Sequence, residues 1–172
     1  MLENLIERRR HGSEEGFTLI ELMVVVLIIG ILIAIAIPTF LGARKRAQDR
    51  AAQSSLRNAV TNAKAIYTDN ENYADANVTA MTSAEPSLTF TAGAVVLADG
   101  PNRVSIVSTA ASDFYAAVYS ASNTCWLIHD GVDPSNTPGT QWAKKAPSQT
   151  CQAGADTASS SWGKTPGAAP TV

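Results

Sequence analysis

The chain has 172 residues, 45% of them hydrophobic, and a formal net charge of −2 at pH 7. This length allows one modest globular domain with appendages. After Arg50 there are six basic and nine acidic residues, so this region lacks the positive excess that nucleic-acid binding requires. The two histidines, His11 and His129, have no metal-ligating or nucleophilic partner at a suitable spacing, and we expect no enzyme activity, metal or cofactor.

The run from Phe17 to Ile37 is almost wholly apolar. As a helix, its 21 residues would extend roughly 31 Å, and a hydrocarbon core is roughly 30 Å thick, so the run can cross a membrane. Arginines precede it at residues 8–10, and basic residues follow it at 44–46 and 50, so positive charge does not set its orientation.

Glu21 is the only charged residue in this run. A carboxylate in hydrocarbon costs a few kcal/mol, so an intramembrane acid is by default a candidate functional residue. The run contains no cation that would neutralise Glu21, and its partner has to come from elsewhere.

A secretory signal is the alternative interpretation of the same run. Residues Ala34 to Ala36 match the A-x-A cleavage pattern, and a cut after Ala36 would release a domain that begins at Ile37. The run is longer than the usual apolar core of about 7–15 residues, and basic residues follow it unusually soon, which disfavours this interpretation.

A long helix is predicted to continue beyond the apolar run. Apolar residues recur at steps of three or four as far as Tyr67, and no proline or glycine occurs from Ala43 to Tyr73. We expect the helix to end at Tyr67 or Thr68, before the polar cluster at 69–72.

Two residues weaken the first part of this helix. Gly30 has no side chain and Pro38 has no amide donor. The stretch between them is either a simple bend or a place where the helix unwinds for function, and both interpretations are open.

Four strands are predicted where Val, Ile, Thr and aromatic residues are enriched between short turns: Leu88–Ala98, Arg103–Ala110, Phe114–Ala121 and Cys125–His129. Because the turns are short, we expect a small antiparallel sheet, with His129 at its edge rather than acting as a ligand. The amphipathic half of the helix is the only long element that can cover the sheet, which predicts an α+β fold.

Cys125 and Cys151 are the only cysteines. Joined, they would close a loop whose chain-entropy stabilisation is about 3.5 kcal/mol, and they would hold the C-terminal region against the sheet. The membrane segment and an exported head favour this disulfide over free buried thiols. From Ala153 onward, 16 of 20 residues are Ala, Gly, Ser, Thr or Pro, which predicts a mobile tail with Trp162 as its one anchor.

The motif Gly16-Phe17-Thr18-Leu19-Ile20-Glu21-Leu22 follows a short polar leader that contains three arginines, and it precedes Gly30, Pro38 and the long helix. In this combination the chain closely resembles the type IV pilins over residues 1 to about 68. Its head resembles theirs only in two general features, a sheet and a cysteine pair near the C-terminus. Residues 37–42 and the cysteine pair resemble a major pilin more than a type II secretion pseudopilin.

The resemblance implies a cut by a prepilin peptidase between Gly16 and Phe17, followed by methylation of the new Phe17 amine. The leader would lie in the cytoplasm. The implied regions are a leader at 1–16, a transmembrane and filament-core helix at 17–40, an amphipathic helix half at 41–68, a globular head at 69–152 and a flexible tail at 153–172.

Cleavage would also create a cation that Glu21 can pair with. The Phe17 amine would lie at a helix N-terminus, four residues before Glu21. In the family, the carboxylate of an incoming subunit neutralises the terminal amine of a neighbour in the filament core, and the helix unwinds near the positions of Gly30 and Pro38 during assembly.

The implied partners are other pilin subunits, the prepilin peptidase/methyltransferase, an assembly platform protein and, indirectly, an assembly ATPase. The resemblance places the chain in the cytoplasmic membrane as a single-pass precursor and then in an extracellular pilus. A type II secretion pseudopilin, and a secreted or membrane-anchored binding domain, are the alternatives.

Overall fold

The computed structural model describes residues 16–108, 110–133, 138–145, 150–154, 162–164 and 166. The predicted leader apart from Gly16, and most of the predicted tail, lie outside the described residues. The chain divides into two compact units at the bond between Gly42 and Ala43. We describe the second unit first and the first unit with the candidate site.

One helix, α1, runs from Leu19 to Asn70. It continues slightly beyond the predicted end and stops inside the predicted polar cluster. Glu71 ends it, because this residue adopts a φ of 53°, a left-handed conformation that an α-helix cannot continue.

Five strands form one sheet in the order β1-β2-β3-β4-β5. They are β1 Thr89–Thr91, β2 Arg103–Val107, β3 Asp113–Tyr119, β4 Cys125–Gly131 and β5 Gly139–Lys145, and a short helix, α2 Val78–Ala84, precedes them. All pairs from β2 to β5 are antiparallel. The second half of α1 packs on this sheet, which confirms the predicted α+β fold.

The first strand differs from its prediction. Only three residues of the predicted Leu88–Ala98 segment form β1, and β1 runs parallel to β2, with Phe90 opposite Val104. The connection between them, residues 92–102, contains a 3-10 turn at Leu97–Asp99. It is therefore nearly as long as the dozen residues that a parallel crossover needs, whereas the prediction assumed a tight turn.

Strand β5 is absent from the sequence prediction because its residues, with two lysines and a glutamine, do not alternate clearly. It pairs along the whole of β4. The prediction that His129 lies at the sheet edge is therefore wrong, since β4 lies between β3 and β5 and His129 is 3% exposed. The His129 Nε2 atom lies 2.8 Å from Oδ1 of Asp113, and the imidazole stacks on Tyr115.

The core between α1 and the sheet follows the predicted apolar stripe. The buried helix residues recur three or four positions apart: Ala52, Ser55, Leu56, Ala59, Val60 and Ala63. They pack against alternate residues of the strands, among them Ile106, Phe114, Trp126, Ile128 and Trp142. Burial of these side chains is the main favourable contribution to the stability of the head.

Polar groups fix the helix on the sheet at two points. Asp49 accepts hydrogen bonds from the Ser122 hydroxyl and from the Trp126 indole. Further along, Lys64 forms an ion pair with Asp130 at 2.8 Å, although Asp130 is only 2% exposed.

The buried Asp130 carboxylate is stabilised by two hydroxyl groups as well as by Lys64. Tyr73 donates to its Oδ2 at 2.6 Å, and Thr140 donates to its Oδ1. Burial, and then the bond to Asp130, raise the pKa of the Tyr73 hydroxyl well above its usual value. Tyr73 therefore remains a donor, and the buried charge keeps the partners it needs.

The opposite face of the sheet is apolar too, and it has its own cover. Ala117, Tyr119, Leu127 and Ala143 form a second cluster there. Residues 150–154, which we call the strap, cross this face, and Cys151 in the strap is joined to Cys125 of β4. The disulfide that the sequence favoured thus closes a second, smaller core.

The described part of the predicted tail contacts the sheet. Trp162 packs edge-on to Tyr115 and His129, with ring centroids 6.5 and 5.9 Å apart, which agrees with its expected role as an anchor. Gly163 exchanges two backbone hydrogen bonds with Trp142 of β5. Both contacts lie at the position of the expected anchor, and the mobility of the rest of the tail stays a prediction.

We predict that serine at both Cys125 and Cys151 lowers the free energy of unfolding by about 3.5 kcal/mol, because the disulfide closes a loop with a sequence separation of 26 residues. Urea denaturation of the detergent-solubilised chain, followed by tryptophan fluorescence, measures this change. The unaltered chain unfolded in reductant is the control and should match the variant. Equal midpoints for the oxidised chain and the variant would contradict the prediction.

Candidate functional site

The candidate site is the start of α1 and the residues just before it. Gly16, Phe17 and Thr18 are not helical, and Leu19 is the first residue of α1. Phe17 is 81% exposed. Gly16 is exposed as well, and a Cβ placed on it would meet no atom of the described residues within 4 Å.

Thr18 and Glu21 cap the first turn of α1 reciprocally. The Thr18 hydroxyl accepts a hydrogen bond from the Glu21 amide at 3.3 Å. The Oε2 atom of Glu21 accepts from the Thr18 amide at 3.0 Å and from the Thr18 hydroxyl at 2.6 Å. This arrangement is a capping box, which satisfies amide donors that the start of a helix otherwise leaves unpaired.

The capping box changes the interpretation of Glu21. Its carboxylate, predicted to lack a partner until cleavage, already has one in Thr18 of the intact chain. Thr-x-x-Glu directly before an apolar run is the sequence signal of a capping box, and the prediction does not use it. The favourable interaction of a carboxylate with the helix dipole adds to this stabilisation.

The capped turn begins a helix surface that no other described residue of the same unit covers. No residue from 16 to 42 is buried. The exposed large apolar side chains include Leu22, Leu27, Ile31, Leu32, Ile35, Phe40 and Leu41. By length and composition, α1 can cross a membrane, and it is the one helix among the described residues that meets this criterion.

Gly30 and Pro38 both lie inside α1, and the helix continues through them. A Cβ on Gly30 would meet nothing within 4 Å, so close packing within this chain does not require a glycine there. Pro38 cannot donate an amide hydrogen bond to the preceding turn. Next to it, the Thr39 hydroxyl donates to the carbonyl of Ile35 at 2.9 Å.

The residues of the site are few in kind. The site combines one carboxylate, a threonine and a long apolar helix face. No group of three or more His, Cys, Asp or Glu residues that could hold a metal ion occurs among the described residues. Cys125 and Cys151, the other predicted site residues, lie in the head and form the structural disulfide.

Known proteins share this arrangement at the sequence level. The profile of a family described as "Prokaryotic N-terminal methylation motif" matches residues 12–37. The "Type IV wide pilus major component PilA4" of Thermus thermophilus is 36% identical over 130 residues, which cover 73% of this chain and 90% of that protein. The chain belongs to the type IV pilin family.

Two other relatives match shorter parts. The "Type IV major pilin protein PilA" of Myxococcus xanthus is 47% identical over 67 residues, which cover 39% of this chain and 30% of that protein. The "Type II secretion system core protein G" of Escherichia coli is 37% identical over 70 residues, which cover 40% of this chain and 48% of that protein. No solved structure matches the chain significantly.

We predict that Thr18→Val weakens the first turn of α1 by about 1 kcal/mol, because valine keeps the shape of threonine but loses its capping hydroxyl. Amide hydrogen exchange of residues 19–22 in micelles should become about fivefold faster. Thr39→Val is the matched control, since it removes a hydroxyl from the interior of the same helix. Equal exchange in the first turn of the unaltered and Thr18→Val chains would contradict the capping role.

Proposed function

We propose that this chain is the major structural subunit of a type IV pilus and that it polymerises through the first half of α1. The observation that carries the proposal is an apolar helix surface that no other described residue of its unit covers, in a chain that matches nearly the full length of a relative named as a major pilus component. Such a surface needs lipid or other copies of itself, because its exposure to water is unfavourable.

In this proposal, the chain is made as a precursor and cut between Gly16 and Phe17 by a prepilin peptidase, which also methylates the new amine of Phe17. The match to a methylation-motif profile supports this step. The open, non-helical backbone around the bond supports it as well, since a peptidase needs an extended and accessible segment. Before assembly, α1 spans the cytoplasmic membrane with the leader in the cytoplasm.

Glu21 then pairs with the Phe17 amine of a neighbouring subunit. Its Oε2 atom is occupied by Thr18, whereas its Oε1 atom has no hydrogen-bond partner among the described residues. The carboxylate can therefore cap its own helix and accept a neighbour's ammonium group at the same time. A charge left alone in the filament core would cost about 3–5 kcal/mol, so only the paired register is stable.

Gly30 and Pro38 are proposed as the place where α1 loses its helical hydrogen bonds during assembly. Gly30 has no side chain and Pro38 has no amide donor. Unwinding the helix therefore costs less free energy near these two residues than elsewhere in the apolar half. A density map of the filament tests this proposal. A continuous helix through both residues in that map would overturn it.

The subunit would reach the filament with the help of an assembly platform protein and, indirectly, an assembly ATPase. Membership of the pilin family is the only support for these two partners. The chain itself acts as a structural protein without a cofactor, first in the cytoplasmic membrane and then in the extracellular pilus.

A pseudopilin of a type II secretion system is the second candidate function, favoured by the similarity to core protein G over 70 residues. The longer match to the wide-pilus component argues for the pilus. The two functions differ in their product, so long surface filaments that contain this chain would decide for the pilin.

We predict that Glu21→Gln abolishes filaments while leaving processing intact. Glutamine still accepts the capping hydrogen bond, so the change removes the charge and little else. Sheared filaments should fall at least about tenfold, given a cost of about 3–5 kcal/mol for an unpaired amine. Intact mass spectrometry should show the mature chain beginning at N-methyl-Phe17 in both proteins.

Glu85→Gln is the control for this experiment, because Glu85 is a head glutamate that hydrogen-bonds to Ser87. It should assemble like the unaltered chain. Normal filaments from Glu21→Gln would refute the ion pair, and a mature chain that begins at Ile37 or Met1 would refute the proposed processing.

A further inference from the structure

The part of α1 that belongs to the head carries a row of cations. Arg46, Arg50, Arg57 and Lys64 are four, seven and seven residues apart, so they lie along one side of the helix, and all four are exposed. We call these four residues the basic stripe. The only acid among residues 43–64 is Asp49, and its carboxylate is bound to Ser122 and Trp126 of the sheet.

The head uses only part of this stripe internally. Lys64 pairs with Asp130, and Arg57 lies over the ring of Trp142 at 5.4 Å. Arg46 and Arg50 have no ion-pair or hydrogen-bond partner among the described residues. Two guanidinium groups are therefore available to another molecule.

The next part of the chain has the opposite charge. Residues 65–84 contain three acids and no lysine, arginine or histidine, and we call them the acidic segment. The next two acids lie outside this segment, and both have partners, since Glu85 accepts from Ser87 and Asp99 pairs with Arg103. Asp69, Glu71 and Asp75 are exposed, and their carboxylates have no partner among the described residues.

We propose that the basic stripe of one subunit binds the acidic segment of a neighbouring copy, so that the heads as well as the apolar helices are held in register. This inference rests on the proposed function, because it needs a polymer of this chain. A second copy is the partner that the charges favour, since each chain supplies both surfaces in equal number. Like surfaces repel, which disfavours a symmetric dimer through either of them.

Two different complementary surfaces on one chain form a heterologous contact, which propagates as an open polymer unless it closes into a ring. Arg50 and Asp69 are 19 residues apart on the same helix, or roughly 28 Å along its axis. Copies with parallel helices therefore bring the two surfaces together only when they are displaced along that axis. The contact links successive levels of a filament rather than neighbours at one level.

Lipid headgroups explain the stripe less well. Arg46 comes six residues after Phe40, the end of the predicted transmembrane helix, which is roughly 9 Å along the helix and close to the headgroups. Arg50 and Arg57 come 10 and 17 residues after Phe40, or roughly 15 and 26 Å. The headgroup layer on each side of the hydrocarbon is only about 5–8 Å thick. A polyanion such as nucleic acid is disfavoured by the acidic excess of the head.

Charge reversal tests the contact. One chain carries Arg46→Glu and Arg50→Glu, and a second carries Asp69→Lys and Glu71→Lys. Each alone should reduce sheared filaments roughly tenfold, because like charges then face each other. The chain with all four substitutions should recover filaments to within about twofold of the unaltered chain, since the contact is restored with its signs exchanged.

Co-expression of the two double variants is a more specific test of the contact than either variant alone. The chain with Asp69→Lys and Glu71→Lys presents a basic segment, which binds the acidic stripe of the chain with Arg46→Glu and Arg50→Glu. The unaltered basic stripe of the first chain binds the unaltered acidic segment of the second. Together they should form filaments that contain both chains. Lys144→Glu with Lys164→Glu is the matched control, since it reverses two cations outside the stripe and should leave filaments unchanged.

Each outcome bears on the inference. Normal filaments from either double variant alone would overturn it. So would a loss in the Arg46/Arg50 variant that the four-substitution chain does not recover, together with less mature chain in the membrane, because that pattern indicates headgroup binding. Equal amounts of mature, disulfide-bonded chain in all strains show that folding is intact. If the unaltered chain forms no filaments, the proposed function fails first and the inference fails with it.

Discussion

The uncovered apolar half of α1 is the constraint on which the rest of the structure depends. Its large side chains, from Phe17 to Leu41, are left exposed by the part of their unit that the structure describes, residues 16–42. Water is an unfavourable environment for such a surface, so the chain requires lipid or its own copies around this segment. In the proposed filament, the single carboxylate in that surface, Glu21, adds specificity, because apolar packing alone does not define a register.

The head solves the opposite problem, since it has more apolar sheet surface than one helix can cover. The second half of α1 buries one face, and the strap together with Trp162 buries the other. Buried polar groups accompany each cover, with Asp130 on the helix side and His129 with Asp113 on the strap side. Because each polar group is paired, neither core pays the full cost of a buried charge.

The sequence predicted the long helix and its stripe because periodicity at three and four residues persists over many turns. It did not predict β5, whose lysines and glutamine hide the alternation, or the parallel pairing of β1, which depends on where a short strand ends. Capping by Thr18 is predictable from the Thr-x-x-Glu pattern, which the prediction does not use. The position of the strap is not predictable from the sequence, because a cysteine pair indicates a link without indicating which surface the link covers.

The disulfide between Cys125 and Cys151 also determines how the head responds to a reducing medium. Cys125 and Cys151 are 0% and 1% exposed. A soluble thiol cannot reach their bond while the strap is closed, since exchange requires direct attack on a sulfur atom. Reduction must therefore wait for a local opening of the strap, and its rate depends on how often that opening occurs as well as on the concentration of thiol. In this head the disulfide is shielded kinetically by the same small core that it closes.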